Sequence, residues 1–196
     1  MKRFFLIITI AFALILTACG QEKMPVIKKA PEFELTSIQG DTVSIKNTNG
    51  KVRLVYFYYS SCNMVCLPTN GIMAKIQSEL KKEKIFGDQA ALISIAVDTK
   101  RDTVEKLTTY SKQLNADLAG WYFLRTDDFP KVQAIAADYS ISVTALEDGE
   151  FIHTNAFTLV DAEGQIRKVY TSSEIEPKNA PKIAADMNQL VKEAKK

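Results

Sequence analysis

The run Val52-Arg53-Leu54-Val55-Tyr56-Phe57-Tyr58-Tyr59 is mostly apolar, and its hydrophobic residues do not alternate with polar ones. A strand with one wet face alternates; a continuous run of this length belongs to a strand covered on both faces. Such a strand needs a layer above it and a layer below, which points to helices packed on a sheet. With 196 residues, 46% of them hydrophobic, the chain has material for one substantial core and little room for two.

The rest of the pattern agrees. Glu32–Leu35 and Thr42–Ile45 flank a Gly40-Asp41 turn and predict a short hairpin at the start of the fold. After the central run, Ile72, Ile76 and Leu80 recur four apart on a helix reaching about Lys84. A second buried strand, Leu92–Val97, ends at Asp98. Asp102-Thr103-Val104-Glu105 has capping-box spacing and predicts a helix from there to about Leu114, burying Val104, Leu107 and Leu114. Trp121–Leu124 reads as a third strand and Phe129–Tyr139 as a helix. Phe157–Val160 and Gln165–Tyr170 read as a closing hairpin. A last helix from about Lys178 to Lys195 turns Ile183, Met187, Leu190 and Val191 inward. No internal repeat or low-complexity tract interrupts this order. The prediction is an α/β fold with a central mixed sheet flanked by helices and an N-terminal hairpin extension.

The ends carry a different signal. Lys2 and Arg3 precede an apolar stretch from Phe4 to Leu16, shorter than the roughly 20 residues that span a bilayer, so residues 1–18 read as a secretory signal. Leu16-Thr17-Ala18-Cys19 resembles a bacterial lipobox, which makes Cys19 the lipidated first residue of an extracytoplasmic protein anchored to the cell membrane. Polar, lysine-bearing residues 19–30, with Pro25 inside and Pro31 just beyond, read as a tether, leaving 31–196 as the folded domain. Removing Lys2 and Arg3 leaves 23 basic residues against 23 acidic ones, which gives no support for nucleic-acid binding.

Of three cysteines, one is taken by the anchor, and Cys62 and Cys66 remain as a pair where the central strand gives way to a helix. Open α/β sheets carry their sites at the carboxyl ends of strands, and a helix N-terminus favours thiolate over thiol. A dithiol in that position looks like the thioredoxin fold. The spacing differs, however, since three residues separate the thiols where thioredoxin-type oxidoreductases have two. Helical positions four apart hold their Cβ atoms about 5–6 Å apart, wider than a relaxed disulfide wants, whereas two thiolates on one metal tolerate that span. The spacing leans toward coordination and leaves oxidation open. Thioredoxin-like oxidoreductases also place a cis-proline before the closing hairpin. This chain has no proline between Pro130 and Pro177, and the corresponding stretch Phe151-Ile152-His153-Thr154-Asn155-Ala156 holds the only histidine. In this fold His153 approaches the dithiol from a neighbouring loop.

Together, Tyr58-Tyr59-Ser60-Ser61-Cys62-Asn63-Met64-Val65-Cys66-Leu67-Pro68, then Val97-Asp98 with Asp102, then Ile152-His153-Thr154-Asn155-Ala156-Phe157-Thr158-Leu159-Val160 resemble the Sco family (Sco/SenC/PrrC) of copper-binding cytochrome c oxidase assembly proteins. The resemblance runs from about Ala30 to the C-terminus. Leu67 before Pro68, and Thr99 after Asp98, depart from the family's usual Cys-Pro and Asp-Pro. The resemblance implies that Cys62, Cys66 and His153 bind one copper, as Cu(I) or as Cu(II) with an added ligand. It implies a membrane-anchored chaperone for the Cu(A) centre of cytochrome c oxidase subunit II, with other copper chaperones or thiol reductases as further candidate partners. Zinc is chemically open to such ligands, but three protein ligands suit an exchangeable site better than a closed structural one. Asp98 is a candidate to orient His153 or tune the site from behind, with a loop carboxylate satisfied by backbone amides as the alternative. Asp102 reads as the helix cap, and Met64 as a packed or exposed side chain. The competing readings are a thiol-disulfide oxidoreductase that reduces a partner's cysteines through Cys62 and Cys66, and a redox or copper sensor. A peroxiredoxin-like peroxidase is weaker, because Tyr59 stands where the reactive-cysteine motif needs threonine.

Overall fold

The computed structural model describes residues 22–61 and 66–195, with the backbone alone for Cys66 and Leu67. The expected signal peptide, Cys19, Cys62 and Met64 lie outside the described residues.

The centre is an eight-stranded mixed sheet in the order β1-β10-β9-β4-β5-β6-β2-β3. Its middle strands are β4 (Val52–Tyr58), β5 (Ala90–Ala96) and β6 (Trp121–Arg125), which run parallel. All seven residues of β4 and all seven of β5 are buried, as the unbroken apolar run requires. Arg53 is the one charge inside β4. Its Nη1 donates to the Thr48 carbonyl at 3.0 Å, and burial holds its pKa below the usual arginine value.

The N-terminal hairpin, β2 (Glu34–Ser37) with β3 (Thr42–Ser44), adds antiparallel to β6. On the other side, β9 (Phe157–Val160) and β10 (Gln165–Tyr170) form the closing hairpin, with β9 antiparallel to β4. Helix α1 spans Cys66–Lys82 and α4 spans Ala180–Glu193 after a single 3-10 turn at Pro177–Asn179. These two pack on each other, with α1 against β5 and α4 against β4 and β5. Helix α2 (Val104–Gln113) lies on β6, and α3 (Phe129–Asp138) leads into a separate two-stranded ribbon, β7 (Val143–Ala145) with β8 (Phe151–His153).

Three local expectations change. The cap of α2 is Thr103, whose side chain accepts from Lys106 N at 3.2 Å, while the Asp102 carboxylate accepts from Ser60 instead. Leu107 and Leu114 are buried as expected, with Tyr110 and Ser111 beside them, but Val104 is 44% exposed. Residues 22–30, a tether by composition, lie on the domain from Glu22 onward. Lys28–Lys29 form β1 on the edge of β10, Met24 N donates to Glu193 Oε1 at 3.2 Å, and Arg167 Nε donates to the Met24 carbonyl at 3.0 Å. The side chains holding this strap are more than a hundred residues away in sequence, so local composition does not reveal them. Among the described residues no helix is long and apolar enough to cross a membrane.

Candidate metal centre

The carboxyl ends of β4 and β5 form one rim of the sheet. Tyr58 ends the central strand there and Tyr59 follows it, Asp98 follows the second strand, and Cys66 opens α1 on the way back. The α1 backbone therefore starts beside the sheet rim, where the unpaired N–H groups of its first turn favour negative charge.

His153 reaches this rim from β8. Residue Phe157 of β9 sits opposite Tyr56 of β4, so the stretch just before it crosses the end of the central strand. The imidazole packs against Tyr59 edge to face, with ring centroids 5.9 Å apart, and against Tyr56 at 6.5 Å. Two residues on, Asn155 Nδ2 donates to Thr69 Oγ1 at 3.4 Å, one helical turn past Cys66, and Ser172 Oγ donates to the Asn155 carbonyl. The segment bearing the histidine thus touches the first turns of the helix that the second cysteine begins.

Burial holds the His153 pKa below the ordinary 6.5, partly offset by a hydrogen bond between Nδ1 and the Thr154 carbonyl at 3.2 Å. A carbonyl only accepts, so in this bond Nδ1 carries the proton and Nε2 the lone pair. That is the tautomer in which imidazole serves as a metal ligand through Nε2. Among the described residues no three His, Cys, Asp or Glu side chains group to hold a metal; Cys62 and the Cys66 side chain stand outside that set.

Both carboxylates of the loop after β5 are buried. Asp98 Oδ1 accepts from Arg101 N at 3.0 Å, and Oδ2 pairs with Arg101 Nε. Asp102 accepts from Ser60 N at 3.1 Å and from Ser60 Oγ. Burial pushes its carboxyl above the ordinary 3.8, against the opposing pull of the Ser60 hydrogen bonds and of Lys106. Tyr59 was legible only as core. Its ring is core, but its hydroxyl donates to Glu150 Oε2 at 3.1 Å, at the start of the strand that carries His153. No local pattern marks the pairing of Arg101 with Glu150, which spans 49 residues, or the contact of Asn155 with Thr69.

The sequence profile of the SCO1/SenC family matches residues 22–192. Solved structures of this fold include the following three. A SCO1/SenC family lipoprotein from Bacillus anthracis str. Ames is 27% identical with a TM-score of 0.77, covering 87% of this chain and 99% of that one. BsSco, described with a disulfide switch and as a member of the Sco family of cytochrome c oxidase assembly proteins, is 25% identical with a TM-score of 0.75, covering 88% and 98%. ScoI of Bradyrhizobium japonicum with copper bound has a TM-score of 0.70 over 83% of this chain and 99% of that one; at 22% identity the likeness speaks for the fold alone.

Proposed function

Because this chain belongs to the SCO1/SenC family of copper-binding cytochrome c oxidase assembly proteins, we propose that it is a copper chaperone for the Cu(A) centre of oxidase subunit II, taking one copper on Cys62, Cys66 and His153. The observation that carries the reading is the seat of His153, against Tyr56 and Tyr59, two residues before Asn155, which donates to Thr69 in the first turns of α1. Cys62 follows Tyr59 by three residues, a chain length reaching at most about 10 Å, and Cys66 opens that helix. Both spacings are compatible with a site in which the two thiols meet the imidazole.

The donor set suits the cargo. Thiolates are soft ligands for Cu(I), and a neutral imidazole serves either oxidation state. Burial disfavours the imidazolium, so fewer protons compete with copper for Nε2 in mildly acidic surroundings. A three-ligand site leaves an open position through which an acceptor's ligand enters before the donor's ligands leave. Oxidation of the dithiol removes two of the three donors and blocks loading, so thiol state gates delivery. Lipidated Cys19 would hold the domain on the outer surface of the cell membrane, in reach of a membrane-bound oxidase.

A thiol-disulfide oxidoreductase is the second reading, favoured by the position of Cys66 at a helix N-terminus, where thiolate is stabilised. It needs the two cysteines and not the histidine. Copper content and free-thiol count on protein isolated from its native membrane, with and without His153→Ala, separate the two. The chaperone reading expects one copper per chain that is lost with the imidazole. Copper-free protein with a cycling dithiol, indifferent to His153, would favour the exchanger.

A further inference from the structure

The two halves of the proposed site arrive on different segments, the thiols after β4 and the imidazole on β8, and among the described residues no backbone ladder joins those segments directly. Something else must fix their spacing, because a three-ligand site tolerates little slack between donors. The turn from Asp98 to Asp102 contacts both. It is closed by a hydrogen bond from Asp102 N to the Asp98 carbonyl at 3.0 Å, so its two carboxylates move as one piece.

One arm reaches the thiol side. The Asp102 carboxylate, wholly buried, accepts from both the backbone N–H and the hydroxyl of Ser60, and Lys106 sits 3.8 Å from it while donating to Ser61 Oγ. Ser60 and Ser61 are the last two residues before Cys62. The Asp102 carbonyl is itself held by Arg125 Nε at 2.9 Å, which braces the arm against β6.

The other arm reaches the imidazole side. Asp98 fixes the Arg101 guanidinium, which donates from Nη1 to Glu150 Oε1 at 3.1 Å and from Nη2 to the Gly149 carbonyl at 2.6 Å. Glu150 also receives the Tyr59 hydroxyl and directly precedes Phe151–His153. A planar guanidinium meets three partners in fixed directions here, which a lysine cannot reproduce.

We propose that the Asp98–Asp102 turn is a two-armed clamp that sets the distance between the dithiol and the imidazole, Asp102 through Ser60 and Asp98 through Arg101 and Glu150. The proposal rests on Cys62, Cys66 and His153 forming one site. Asp98, Arg101 and Asp102 are positioning residues, and none needs to touch the copper.

The arms are separable, and that is the test. In the full mature chain, reduced and metal-free, the alkylation rate of each thiol is read by mass spectrometry and the His153 ring by its NMR signals at fixed pH. Asp102→Asn, or Ser60→Ala should the first variant fold poorly, is expected to speed Cys62 alkylation at least threefold and leave the His153 signals in place. Arg101→Met, with Glu150→Gln as its milder counterpart, is expected to shift or broaden the His153 signals and leave the alkylation rates within twofold. Each is expected to weaken Cu(I) at least tenfold. Variants that disturb both halves alike, or that leave their own half untouched, overturn the clamp. Failure of the unmodified protein to bind copper would instead defeat the proposed function, while the metal-free measurements still decide whether the two arms act separately.

Discussion

Arg167→Met is expected to destabilise the domain by about 3–5 kcal/mol, the usual cost of removing one partner from a buried ion pair. The guanidinium is 9% exposed and meets Asp161 Oδ2 at 2.9 Å and Glu193 Oε2 at 2.8 Å, besides the carbonyls of Met24 and Pro25. Its loss strands Asp161, whose side chain is only 4% exposed, with Oδ1 still served by the N–H groups of Glu163 and Gln165 and Oδ2 without its cation. Glu193 is more accessible and recovers water, so Asp161 carries most of the cost. With a urea m-value of about 2 kcal/mol/M, the midpoint falls by about 2 M. Pairing the change with Asp161→Asn removes the stranded charge and should restore about half of the loss. The strap should come free at the same time, exposing the amides of Ile27 and Ala30 to hydrogen exchange. A loss below about 1 kcal/mol, or a double variant worse than the sum of the singles, would refute this account of the buried pair.

Three further outcomes follow from other parts of the molecule. Ser94→Ala removes the Oγ that accepts from Trp121 Nε1 at 2.9 Å inside the core, and should cost about 1–3 kcal/mol with a change in the emission of the only tryptophan. Gly120→Ala places a Cβ 2.7 Å from the Cα and N of Gly87, both backbone atoms, and should cost about 2–3 kcal/mol in a urea melt. The lowered pKa of His153 makes the metal-free fold bind fewer protons than the unfolded chain below the ordinary 6.5. Stability is therefore complete above that pH and declines as pH falls from 6.5 toward the lowered folded value, and His153→Ala should flatten this part of the pH profile.

Where burial is two-sided or periodic, the sequence was readable almost to the residue. The closing hairpin falls on Phe157–Val160 and Gln165–Tyr170 as expected, and the unbroken runs at β4 and β5 are the centre of the sheet. The glycine at position 40, with φ near +91°, marks the β2–β3 turn that the pattern predicts. What escaped depends on contacts distant along the chain. Asp102 has the composition of a cap, yet Ser60 offers it a backbone N–H and a hydroxyl, and Thr103 caps the helix instead. The β7–β8 ribbon is short and partly exposed, with Ile152 at 63%, so neither alternation nor a long apolar run announces it. The position of His153 beside the end of the central strand was legible from the missing proline, whereas the contacts of Arg101 and Glu150 near it were not.

In the proposed site two sulfurs and the His153 imidazole bind one copper. Titrating the reduced mature domain with Cu(I) against a competing chelator, and with Cu(II) followed by its thiolate charge-transfer absorption, tests it most directly in the unmodified chain and in His153→Ala. One tightly held copper per chain, weakened at least tenfold and spectrally altered when the imidazole is removed, is the predicted result; affinity and spectra indifferent to His153 would contradict it.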